Sequence, residues 1–171
     1  MTRTLTLLNV ALVVALIGGS VYAWPDLPPR IPTHFDAGGR ADAWAERSPA
    51  RWFLLPALAL LVGGVMQLSQ SLVRRHPALL NIPDKEEYLA LPEEGKRAVL
   101  VHVRAMLAAT MAVMLAIFGL IQLAIWRQAH GHATTTLLMV VLVLGVLTTP
   151  LLLGVFLPRI RDAIEEQQRR R

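Results

Sequence analysis

The sequence predicts an all-α membrane protein, a bundle of four transmembrane helices with an ordered extracytoplasmic loop between the first two. Three observations predict it. Of the 171 residues, 54% are hydrophobic and only 17% are charged, where soluble domains carry about 25% charged residues. The apolar residues gather into four runs, each close to the roughly 20 residues that cross a hydrocarbon core as helix. None of the four contains Asp, Glu, Lys or Arg. With no water in the core to satisfy backbone groups, such runs must be helical. The chain reads as one integral membrane domain over residues 1–171.

The first span runs from Leu5 to Trp24, with Asn9 and Ser20 among its few polar residues. The small residues Val21 and Ala23 resemble a signal-peptidase site. The apolar stretch before them exceeds the usual h-region of about 7–15 residues, so an uncleaved anchor is expected. The second span covers Trp52 to Val73, with Pro56 near its start, the third Ala105 to Trp126 and the fourth Leu137 to Leu157. Asn9 and Gln122 lie within spans, where polar side chains commonly hydrogen-bond between helices. Met106, Met111 and Met114 read as packing residues.

Lys and Arg in the connections set the orientation. The N-terminus has one, the segment 74–104 six and the tail 158–171 five, while 25–51 has four and 127–136 one. Both termini are therefore expected in the cytoplasm of a plasma-membrane protein, with 25–51 outside. Trp24, Trp52 and Trp126 fall at the expected outer ends, where aromatic belts form. The net charge of +5 suits anionic headgroups beside the basic ends of the spans. No aromatic or recognition motif accompanies it, so no nucleic-acid partner is expected. The absence of cysteine excludes disulfides, thiolate metal sites and cysteine nucleophiles.

The outer loop starts as a stiff extended leg, because Pro25, Pro28, Pro29 and Pro32 fix their own backbone and extend the residue before them. Gly38-Gly39 supplies a turn of positive φ. No alternation there is long enough to predict a strand, and Asp42 to Ser48 is expected to form a short helical turn. In the cytoplasmic segment, Pro92 followed by Glu93 and Glu94 marks the start of a long helix that enters the third span. Before it, Leu79, Leu80, Ile82, Tyr88, Leu89 and Leu91 alternate with charges and are expected to lie in the lipid interface. The tail is expected to continue the fourth helix past Pro158.

The stretch "LPPRIPTHFDAGGRADAW" resembles the signature of the domain of unknown function 1648 family. The matching positions are Leu27, Pro28, Ile31, Pro32, His34, Phe35, Asp36, Gly39, Asp42 and Trp44, and Ala41 stands where the family usually has proline. A second family element is matched by Asn81, Pro83, Lys85, Leu91, Pro92 and Glu93. The same domain occurs in the immunity protein against the sporulation-delaying toxin, so the resemblance implies an immunity or signalling role, with the outer loop meeting a protein or peptide partner.

Among side chains able to do chemistry, His34, Asp36, His130 and His132 share the expected outer side and have zinc-ligand chemistry. A small metal-binding protein or metalloenzyme is thus one alternative function, and an accessory subunit of a larger membrane complex is another. The spacings His-x-Asp and His-Gly-His are looser than a His-Glu-x-x-His helix. The expected role of His34 is instead a hydrogen bond within the loop, with Asp36 and Asp42 capping backbone N–H groups. No nucleophile elbow or other catalytic motif is present, so the expectation is a non-enzyme without cofactor. Oligomeric state and ligand identity are not encoded in any pattern here.

Overall fold

A computed structural model describes residues 2–76 and 80–170. The chain forms α1 (Thr2–Ala23), β1 (Arg30–Phe35), β2 (Ala41–Glu46), α2 (Pro49–Trp52), α3 (Leu54–Arg75), α4 (Lys85–Ala90), α5 (Glu93–Ala129) and α6 (Thr135–Arg169). Four of these helices, α1, α3, α5 and α6, are long and apolar enough to cross a membrane. The protein is an all-α, multi-pass membrane bundle with a small two-stranded sheet.

The bundle is organised around α5. Helices α1, α3 and α6 all pack on it, and α1 also meets α3. Side chains such as Val14, Leu61, Leu68, Val146 and Leu151 stay exposed on the bundle surface, as lipid-facing residues should. At 37 and 35 residues, α5 and α6 far exceed the roughly 20 residues needed to span. Both run past the spans at the tail end, and Pro150 and Pro158 lie inside α6 without ending it.

At that tail end the expectation for the segment before α5 is corrected. Leu80, Tyr88 and Leu91 do not lie against lipid; they are buried with Val99, Leu100, Val103, Ile160 and Ile164, with Ile82 packed beside them. The segment folds back because α4 presents Tyr88 and the following turn presents Leu91 to the protruding parts of α5 and α6. Leu89 does remain exposed, and Leu79 lies outside the described residues. The start of α5 is as read from the sequence, with Glu93 and Glu94 in its first turn after Pro92.

Candidate functional site

The opposite end of the bundle carries the hairpin of β1 and β2, and here a second expectation is corrected. The residues from Ala41 to Glu46 are strand, not a helical turn, and Arg30 to Phe35 pair with them antiparallel. Two irregularities explain why no alternation was visible. The register runs Pro32↔Trp44, His34↔Ala43 and Phe35↔Ala41, so Thr33 is extra on one strand and Asp42 on the other. Each bulge shifts the in–out period by one residue. Pro32 is tolerated because β1 needs only one ladder partner, as an edge strand does.

The turn is closed locally. Asp36 receives the Gly39 N–H on its carbonyl at 2.9 Å and the Arg40 N–H on its carboxylate at 2.8 Å. Gly39 has φ +75°, and a Cβ added there would lie 2.8 Å from the Thr135 Cα. Only glycine fits both the left-handed backbone and the close approach. The Thr134 and Thr135 hydroxyls then donate to the Gly39 and Gly38 carbonyls, each at 2.9 Å. The turn is thereby fastened to the start of α6.

The base of the hairpin is fastened to the other helices. Leu27, Ile31 and Trp52 are buried together, flanked by Trp24, Phe53, Ile125, Trp126 and Ala129. Arg47 donates to the Pro25 and Leu27 carbonyls and lies over the Trp24 ring. Trp52, only 2% exposed, donates its indole N–H to the Ser20 carbonyl at 2.8 Å, satisfying one of the carbonyls that every helix leaves open at its C-terminus. Its own carbonyl would ordinarily bond to residue 56, but Pro56 has no N–H. The Gln122 amide fills that position, donating to the Trp52 carbonyl at 3.0 Å. Asn9, an amide within the first span, donates to the Ala108 carbonyl at 3.0 Å. Both amides noted in the sequence therefore bond between helices.

With both ends fixed, the hairpin presents one open face. His34 Nδ1 lies 2.6 Å from Asp42 Oδ1, and the side chains are 68% and 48% exposed. The Asp42 bulge places the carboxylate opposite the imidazole. Trp44 is also exposed, and Arg30 donates to its carbonyl. Of the motif residues, Ile31, Pro32 and Gly39 are buried, Pro28 and Phe35 half-buried, and His34, Asp36, Asp42 and Trp44 exposed.

The candidate metal set is not brought together. His34 turns to Asp42, and Asp36 to the Arg40 N–H. His130 places Nδ1 2.8 Å from the Trp126 carbonyl and Nε2 3.1 Å from the Asp26 carbonyl. It braces the α5–α6 loop against the first leg of the hairpin, and His132 is exposed. Among the described residues no group of three or more His, Asp or Glu side chains is placed to hold a metal ion. The second motif lies at the other end of the molecule. Asn81 is exposed, Pro83 half-buried, Lys85 opens α4 and Pro92 precedes α5. Between them Asp84 adopts φ +52°, with Arg161 Nε 3.6 Å from its carboxylate. Sequence reasoning missed the roles of Thr134 and Thr135, for which a run of threonines at a helix start was the available signal.

The residues of α1, the hairpin and the start of α3 coincide with a known unit. Residues 11–60 match the family model described as "Domain of unknown function (DUF1648)". This segment is similar to the DUF1648 domain. The match ends within α3, so α5 and α6 lie beyond the family segment. The chain is also similar to an "Uncharacterized protein" of Archaeoglobus fulgidus, 30% identical over 86 residues. That alignment covers 47% of this chain and 45% of the relative, so the chain spans less than half the length of the curated relative it matches. No solved structure matches the chain.

Proposed function

We propose that this DUF1648-containing membrane protein is a non-enzymatic recognition component, of immunity or signalling type, that reads a peptide or protein partner with its hairpin. The observation that carries the reading is the asymmetry of that hairpin. Its turn and base are fixed to three helices, yet His34, Asp42 and Trp44 on its open face serve no buried structural role. A rigid scaffold holding exposed polar and aromatic groups is the usual arrangement of a binding loop. The His34–Asp42 pair keeps the imidazole in one orientation, and Trp44 adds an amphipathic contact surface.

The same reading places the hairpin outside the plasma membrane and both termini in the cytoplasm, in keeping with the excess of Lys and Arg on the tail side. The arginines of the tail bind anionic headgroups there, and the segment from Asn81 to Pro92 docks a cytoplasmic component. Ala37, at the exposed turn, tests the topology. An Ala37→Cys variant labels in intact cells with a membrane-impermeant maleimide; labelling only after permeabilisation would reverse the orientation. Recognition is tested with a photo-cross-linker at the exposed Ala43. A discrete adduct in native membranes, lost in Trp44→Ala and His34→Ala at unchanged expression, is the expected result. An adduct pattern indifferent to both substitutions would exclude the hairpin as the recognition surface.

A further inference from the structure

At the hairpin end, α1 and α5 separate into a groove of about 580 Å³, within the range of about 300–1,000 Å³ typical of small-molecule sites. One wall is the α1 stripe of Leu12, Leu16 and Gly19; the other is the α5 stripe of Leu115, Gly119 and Leu123. Trp52 and Trp126 stand at its hairpin end. From Leu12 to Ala23 the groove follows α1 for about 16 Å at about 1.5 Å per residue. That is the depth of one leaflet of a core about 30 Å thick.

A second, independent feature gives this groove a chemistry. Gln122 lines it and is itself only 6% exposed. Its Nε2 is committed to the Trp52 carbonyl, a bond only the amide nitrogen can donate. That fixes the amide orientation and leaves Gln122 Oε1 buried with no hydrogen-bond partner among the described residues. Of the other polar groups on the lining, the Ser20 hydroxyl donates to the Leu16 carbonyl and the Trp52 indole to the Ser20 carbonyl, and the Trp126 indole N–H is not on Gln122 Oε1 either. A buried acceptor without a donor is costly in a low-dielectric site. What is missing is a hydrogen-bond donor attached to something apolar.

We propose that this groove binds a single-chain membrane amphiphile whose head carries a hydrogen-bond donor, such as a hydroxyl. The hydrocarbon chain lies along the α1 and α5 stripes, and the donor displaces the side chains that cover Gln122 Oε1 to reach it, about one turn below Trp126. The head then meets the interface beneath the hairpin. The length of one leaflet selects one chain, and the lone acceptor selects a donor-bearing head over an ordinary phosphatidylcholine, which has no donor. The site is separate from the open face of the hairpin, so either reading can fail without the other.

The test uses the full chain reconstituted in phosphatidylcholine vesicles and reads quenching of its tryptophan fluorescence. The probes are a bromine-labelled long-chain alcohol and the methyl ether of the same alcohol. The alcohol should quench saturably above the linear background of dissolved probe. The ether should bind about three- to tenfold more weakly, the loss expected for one net hydrogen bond. Side chains at Gly119 and Gly19 enter open space, since a Cβ at either meets nothing within 4 Å. Gly119→Leu, or Gly19→Leu from the other wall, should therefore fill the groove and abolish saturable quenching with helicity retained. Gly145→Leu on α6, with equally open space, should not. Gln122→Leu should make alcohol and ether equivalent. Linear quenching in the native chain, equal affinity for the two probes, or saturable binding that survives Gly119→Leu would each overturn the proposal.

Discussion

The segments within the membrane and the part that protrudes at the tail end are both built from α5 and α6, yet they are held together differently. In the protruding part, eight residues from α4, its flanking turns, α5 and α6 form the largest buried cluster, with Tyr88, Val99, Ile160 and Ile164 fully enclosed. The membrane segments bury few large side chains and are tied by amide and indole donors to carbonyls of neighbouring helices. The cause is the solvent. Water drives apolar side chains together at about 25 cal/mol per Å², whereas lipid is as apolar as leucine and supplies no such drive. Apolar burial therefore concentrates where the chain meets water, and directional bonds carry the association where it does not.

The contrast can be broken by substitution, most strongly at Trp52. Trp52→Ala removes the buried indole and its bond to α1 together and should cost about 3–5 kcal/mol, read as a loss of thermal stability in detergent. Gly39→Ala comes next. A side chain there meets the left-handed penalty of about 1–2 kcal/mol and a backbone atom of α6, and should release the turn to protease. At the tail end the sign reverses. The Tyr88 hydroxyl is buried without a partner among the described residues, so Tyr88→Phe should raise stability by about 1 kcal/mol.

The same residue gives a pH dependence. Burial, with Glu93 adding repulsion, raises the Tyr88 pKa above the ordinary value of 10.0. Below pH 10 both folded and unfolded chains hold the proton and nothing changes. Above it the unfolded chain releases a proton that the folded chain keeps, so stability falls as pH rises. Tyr88→Phe should remove that alkaline decline, as urea titrations at increasing pH would show. The smallest effect is expected at the exposed His34–Asp42 pair, where His34→Ala should change stability by about 0–1 kcal/mol. A larger loss would mean that the open face is part of the scaffold.

The spans were legible because their signal is collective: about 20 apolar residues outweigh any single polar one. Asn9 and Gln122 were recognisable as interhelical donors for the converse reason, each being the one amide in its largely apolar span. The hairpin was hidden by its two bulges, which break the period-2 pattern at Thr33 and Asp42, and by a second strand whose repeated residue is alanine, a poor strand former. The fold-back of Tyr88 and Leu91 was hidden because an apolar residue that meets lipid and one that meets protein look alike in sequence. Which surface covers them depends on α6, which follows much later in the chain. His34, Asp36, His130 and His132 had suitable chemistry for a metal, but the hydrogen bonds that direct the first three elsewhere arise only from the folded turn and the α5–α6 loop, and His132 is left exposed.

Pro56 has a consequence for biogenesis. By withholding an N–H it leaves the Trp52 carbonyl open at the head of α3 until Gln122 arrives from α5. As the chain emerges from a ribosome, α1, the hairpin and α3 come first and α5 later. The first helical pair thus waits in the bilayer with one bond unmade, and the third closes it. Residues 11–60, the stretch that matches the family model, are in this sense an unfinished lock whose key is cut in the sequence that follows.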